Sequence, residues 1–119
     1  MVVDPLSSDA FSEVEADRVF HALADSTRRD ILTRAIQCEQ SVSALARHYE
    51  ISLTAVQKHV MVLERAALVT KNRRGREQLV VANPDTLRRA NTLLEAFEQL
   101  WIDRANRIAE ILTEEGEAR

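Results

Sequence analysis

Along most of this chain apolar residues recur three and four apart, the period of one helical face. A first helix is expected from about Ser12 to Leu23, with Val14, Phe20 and Leu23 as its apolar side. Asp25-Ser26-Thr27 offers capping oxygens for a second, about Ser26 to Gln37, with Ile31, Leu32, Ala35 and Ile36 turned inward. Ser41 or Ser43 caps a short third helix carrying Val42, Leu45 and Ala46, which His48 ends. Ser52 caps a fourth, reaching about Ala66. The period then shortens: LVTKN and EQLVVAN are β-prone and flank Arg73-Arg74-Gly75-Arg76, where Gly75 supplies the positive φ of a tight hairpin. Asn83-Pro84-Asp85 breaks the strand. A last helix spans about Pro84 to Thr113, with Leu87, Leu94, Phe97, Trp101, Ile108, Ile111 and Leu112 at helical spacing.

The fold class is therefore mainly α with a small β-hairpin: five helices and two strands, ordered ααααββα. One domain is expected over residues 13–113, between a tail at 1–12 and a tail at 114–119. Two glycines and two prolines in 119 residues are too few for an all-β fold. No apolar run approaches a membrane span and no secretion signal opens the chain, so a cytoplasmic protein is the default expectation. Cys38 is the single cysteine, which excludes an intramolecular disulfide.

The net charge is −3, but it is unevenly distributed. Residues 41–82 carry Arg47, Lys58, Arg65, Lys71, Arg73, Arg74 and Arg76 against Glu50, Glu64 and Glu77, while both flanks are acidic. Helices three and four, joined by a turn at Tyr49 to Ser52, form a helix-turn-helix over about 41–66. Small Ala46 permits close packing, and Ala55, Val56, Val60 and Leu63 hold the second helix on the core. Leu53, Thr54, Gln57, Lys58, Met61 and Arg65 then face outward. A helix N-terminus fits the major groove. Gln57 suits an adenine edge, Lys58 a guanine or a phosphate, Thr54 a thymine methyl or a phosphate, and the Ser52 hydroxyl a phosphate oxygen. The hairpin at about 68–82 makes this a winged helix, with Arg73, Arg74 and Arg76 at the tip, near the DNA backbone or a minor groove. His59 lies between the core and groove faces, and both DNA contact and packing stay open for it.

"FHALADSTRRDIL" resembles the LADPTRRxIL signature of the ArsR/SmtB winged-helix repressors, with Ser26 where Pro is usual. "SVSALARHYEISLTAVQKHVMVLERAALV" is similar to that family's helix-turn-helix, and "TKNRRGREQLVVAN" to its wing. "FEQLWIDRANRIAEIL" resembles the C-terminal helix of a metal-independent subgroup. The resemblance covers about residues 14–113. It implies a homodimeric transcriptional repressor that binds an inverted-repeat operator in double-stranded DNA. Glu50 and Ala67 stand where the family commonly has Gly, which costs about 1 kcal/mol wherever the turn needs positive φ.

Metal-sensing relatives use cysteines at the start of the third helix or Asp/His clusters on the last. Here the third helix begins without a thiolate and the last has no histidine, so no metal and no cofactor is expected. No GxSxG, P-loop or HExxH occurs, and no catalytic residue is expected. The Trp101 stripe is either core or a dimer seam with the first helix. The seam is favoured, built from Val14, Phe20, Leu94, Phe97, Trp101 and Ile108. The alternatives are a winged helix used for protein–protein assembly, a regulator with a small-molecule pocket between the terminal helices, and a redox-responsive one using Cys38, which is otherwise an idle thiol.

Overall fold

In the computed structural model, which describes residues 11–117, every helix begins one residue after a side chain that caps it. Ser12, Asp25, Ser41 and Ser52 accept the backbone N–H of Glu15, Arg28, Ala44 and Ala55 at 2.9–3.1 Å. Asn83 accepts from Asp85, with Pro84 at the first helical position, where a missing N–H leaves nothing unsatisfied. The helices that follow are α1 (Glu13–Leu23), α2 (Ser26–Gln37), α3 (Val42–Ala46), α4 (Leu53–Arg65) and α5 (Pro84–Glu117). Glu15 returns its carboxylate to the Ser12 N–H and completes a capping box. Phe11 is buried in the core. The fold therefore includes Phe11 and Ser12, both inside the segment expected to be a tail. The rest of that segment lies outside the described residues.

The sheet has one strand more than the sequence suggested. Strand β1 (Gln40–Ser41) pairs antiparallel with β3 (Glu77–Ala82), which also pairs with β2 (Val69–Arg74), giving the order β1-β3-β2. Two residues carry no detectable alternation, so β1 exists only because β3 offers it an edge. The hairpin register runs from Val69 opposite Ala82 to Arg74 opposite Glu77. Gly75, the first residue of the two-residue turn, has φ +65°, and Arg76 does not share the positive sign. A type II′ turn has this pattern.

Ile31, Leu45, Val56, Val60, Leu63, Leu68, Val69 and Val80 are fully enclosed and bind α2, α3, α4 and the sheet into one core. Ala46 packs against it. One expectation about an inward face is corrected, at the end of α2. Helix α1 meets the core through Val19 and Ala22, leaving Val14 and Phe20 outward. Ile36, expected inward, is 56% exposed at the last turn of α2. Helix α3 ends at Ala46, so His48 sits in the following turn, its N–H donated to the Leu45 carbonyl.

Helix α5 departs most from expectation. It continues to Glu117, through most of the segment expected to be a tail. At about 1.5 Å per residue its 34 residues run to about 51 Å. Only its first turns touch the body, through Thr86, Leu87 and Ala90. Arg89 reaches back to Glu15 at 3.0 Å and lies over the Phe11 ring. Beyond them, Leu94, Phe97, Leu100, Trp101, Ile108, Ile111 and Leu112 are all exposed, Trp101 at 68%.

Candidate nucleic-acid interface

Helix α4 is held from three sides, and that fixes what its free side presents. Val56, Val60 and Leu63 are wholly buried, with Ala55 half-buried. The turn before it is anchored by Tyr49, whose hydroxyl donates to Asp30 on α2 at 2.5 Å. Arg34 donates to the same carboxylate oxygen at 2.8 Å. The hydrogen bond from Tyr49, and then that from Arg34, hold the Asp30 carboxyl below its usual range. Burial, and then the Asp30 contact, push the Tyr49 phenol up to about 12.

The C-terminus of α4 closes in a Schellman motif. Leu68 N–H donates to the Leu63 carbonyl and Ala67 N–H to the Glu64 carbonyl. Ala67 takes φ +59°, the single non-glycine residue with positive φ among those described. Of the two positions where a glycine was expected, the strain falls on Ala67 alone; Glu50 has no need of one. Buried Thr86 donates to the Ala67 carbonyl at 2.6 Å and ties the start of α5 to this turn.

Thr54, Gln57 and Lys58 project from the first two turns of α4 into solvent. The wing stands beside them. Gln57 and Met61 share a groove of about 540 Å³ with Ser43, Lys71, Arg73, Arg76 and Gln78. Among the described residues, Lys58, Arg73, Arg74 and Arg76 have no carboxylate partner, whereas Lys71 lies 3.6 Å from Glu64. The groove thus combines the Gln57 amide with the uncompensated Arg73 and Arg76, and Thr54, Lys58 and Arg74 stay exposed on the same helix and wing.

Three expected site residues sit differently from the rest. The Ser52 oxygen already accepts the Ala55 N–H, so only its hydroxyl proton is free to meet a phosphate. His59 turns toward the α1–α2 corner, its Nδ1 3.9 Å from the Asp25 carboxylate and 3.4 Å from the Arg28 guanidinium. Arg28 in turn donates to the carbonyls of His21 and Ala22, closing the end of α1. Arg65 lies at the far end of α4 in a cleft with Arg18, His21 and Val62, away from the wing. Lys71, Ser43 and Gln78 were not singled out as site residues. The period of β2 could have shown Lys71, which shares a strand face with Arg73; the other two are brought in by the fold.

No family model matches the chain. Over 101 residues, 85% of the chain and 92% of the relative, it is 34% identical to the HTH-type transcriptional regulator Rv2034 of Mycobacterium tuberculosis. The structure of an ArsR-like transcriptional regulator from Rhodococcus sp. RHA1 superposes with a TM-score of 0.75 at 35% identity, covering 82% of this chain and 92% of that one. The chain belongs to the ArsR family of transcriptional regulators. Another ArsR-type structure, a homodimeric winged helix-turn-helix DNA-binding domain from Mycobacterium bovis, matches 76% of this chain and 80% of its own. Its TM-score is 0.59 at 30% identity.

Within the ArsR frame, α3 and α4 are the helix-turn-helix and the β2–β3 hairpin is the wing. Among the described residues no three His, Cys, Asp or Glu side chains converge as a metal site would require. No described helix is long and apolar enough to cross a membrane. Cys38 is exposed at the end of α2, its Sγ 3.4 Å from the Glu39 carbonyl.

Proposed function

We propose that this ArsR-family protein is a homodimeric repressor that binds an inverted-repeat operator by laying α4 of each protomer into the major groove. The observation that carries this reading is the set of unpaired cations, Lys58, Arg73, Arg74 and Arg76, around Thr54 and Gln57 on an otherwise acidic chain. Cations left without carboxylates are free to replace the counterions of a polyanion. Gln57 supplies the bidentate pattern that fits adenine, and Lys58 reaches guanine or phosphate. Thr54 and the Ser52 hydroxyl serve the groove wall. The wing arginines hold the backbone. Arg65 lies at the edge of the footprint, behind the reading turns, while His59 packs into the α1–α2 corner.

The dimer is supported by the apolar surface that α5 and α1 leave uncovered: Val14, Phe20, Leu94, Phe97, Trp101 and Ile108. Trp101 lies near the midpoint of α5, so two α5 helices paired antiparallel bring stripe against stripe about a two-fold axis. Two-fold symmetry then sets the reading helices about 34 Å apart, one turn of DNA. Bound there, the protein blocks polymerase at its own or a neighbouring promoter.

The test is selection of bound duplexes from a random pool, followed by gel shifts across a salt series. Palindromic sites with half-site centres one turn apart are expected. Gln57→Ala and Lys58→Ala proteins that shift those duplexes as tightly as wild type would refute the role of α4.

A further inference from the structure

The outward face of α4 is not uniformly polar. Leu53 and Met61 are 45% and 41% exposed, four residues before and four after Gln57. Neither serves the core, which Val56, Val60 and Leu63 fill from the opposite side. Neither holds a phosphate. A helix that only needed to be solvated, or only needed to grip the backbone, would gain from polar residues at both positions.

We infer that Leu53 and Met61 read thymine methyl groups on either side of the base pair that Gln57 contacts. This rests on the DNA-binding role of α4 proposed above and adds a sequence preference to it. The thymine C5-methyl is the one apolar group that base pairs present in the major groove. The surroundings argue for that occupant over an apolar protein surface. Lys58 is exposed next to Gln57 in the first two turns of α4, and Met61 shares its groove with Arg73 and Arg76. A protein partner with an apolar face would leave those cations buried without counter-charge; a duplex supplies phosphates on both sides of the groove.

Spacing sharpens the preference. Four residues of α-helix rise about 6 Å. Base pairs are stacked about 3.4 Å apart. Leu53 and Met61 therefore reach positions about two steps to either side of the pair under Gln57. Leu53 is the first residue of α4, at the end of the helix that enters the groove. The expected half-site has thymines about four steps apart, flanking an adenine.

The experiment uses the full chain and a duplex selected from a random pool. Each half-site thymine is replaced in turn by deoxyuridine, which removes the methyl and keeps every hydrogen-bonding group. Uracil at two positions about four steps apart is expected to weaken binding about fourfold each, the worth of one buried carbon. Leu53→Ala should abolish the penalty at one position and Met61→Ala at the other, with the salt dependence of both proteins unchanged. Leu53→Met and Met61→Leu, which keep apolar bulk, should retain the discrimination. Circular dichroism melts separate a binding defect from a folding one. Wild-type protein that binds every uracil duplex as tightly as the thymine parent overturns the inference while leaving DNA binding intact. So do uracil penalties that persist unchanged in both alanine proteins. If no duplex is retained even at low salt, the DNA-binding role fails, and the methyl reading with it.

Discussion

Replacing Ala67 with glycine should make this protein more stable, against the usual direction of such a change. Ala67 closes the Schellman motif of α4 with φ +59°. An L-residue in the left-handed region carries about 1–2 kcal/mol of strain from its Cβ. Glycine removes that strain but adds about 0.4–1 kcal/mol of backbone entropy to the unfolded chain. Ala67 is exposed, so losing its methyl sacrifices no core contact. None of the hydrogen bonds of the turn, Leu68 to Leu63, Ala67 to Glu64 and Thr86 to the Ala67 carbonyl, uses the Ala67 side chain. The net expectation is a gain of about 0.5–1 kcal/mol, or about 2–4 °C in Tm for a chain of this size. Urea unfolding followed by circular dichroism at fixed protein concentration measures it, with the slope unchanged and the midpoint raised. Glu50→Gly is the matched control. Glu50 is also exposed but does not have positive φ, so glycine there should cost about 0.4–1 kcal/mol. A stability loss in Ala67→Gly equal to that in Glu50→Gly would refute the strain assigned to the α4 turn.

Other expectations follow from the same geometry. Tyr49 is the sole tyrosine, so phenolate absorbance reports on it alone; it should titrate near 12, well above the ordinary 10. Its raised value means the fold favours the protonated phenol, with that stability intact below about pH 10 and lost as pH rises through 12; a midpoint near 10 in folded protein contradicts the Tyr49–Asp30 anchor. In acid the sign reverses. Asp25, bonded by the Arg28 N–H, and Asp30, bonded by Tyr49, are held below their ordinary 3.8, so their stabilisation is present above about pH 4 and lost as pH falls through the lowered values. Tyr49→Phe should flatten that acid limb, and a limb of unchanged steepness would deny Asp30 its role. For DNA, six neutralised phosphates per dimer predict a slope of about −5 in log affinity against log salt, and an Arg73→Ala, Arg74→Ala, Arg76→Ala triple variant should reduce it; a slope near zero excludes phosphate contact. Trp101→Glu should give monomers by sedimentation, since it places like charges near the proposed two-fold axis; a persistent dimer would move the seam elsewhere.

The local devices of this fold were legible in the chain because each is a matter of a few adjacent residues. Asp25, Ser41 and Ser52 cap their helices, Gly75 turns the hairpin, and a three-four period marks α2 and α4. The outward face of α4 was legible for the same reason: once Val56, Val60 and Leu63 point inward, helical geometry alone turns Thr54, Gln57 and Lys58 outward. Tertiary structure decided what depends on a distant partner. Strand β1 is two residues that pair only because β3 lies beside them. Val14, Phe20 and Ile36 have the hydrophobicity of core residues, yet α1 fills the core with Val19 and Ala22, and α2 with Ile31, Leu32 and Ala35 but not Ile36. His59 was ambiguous by spacing, and only the corner of Asp25 and Arg28 settled its direction. The same holds for Ala67: the sequence marks it as a non-glycine, but the sign of φ belongs to the turn that Leu63, Leu68 and Thr86 hold closed. Sequence determines what a residue and its near neighbours prefer; where several preferences compete for one interior, the winner is set by which side chains the chain path can bring together.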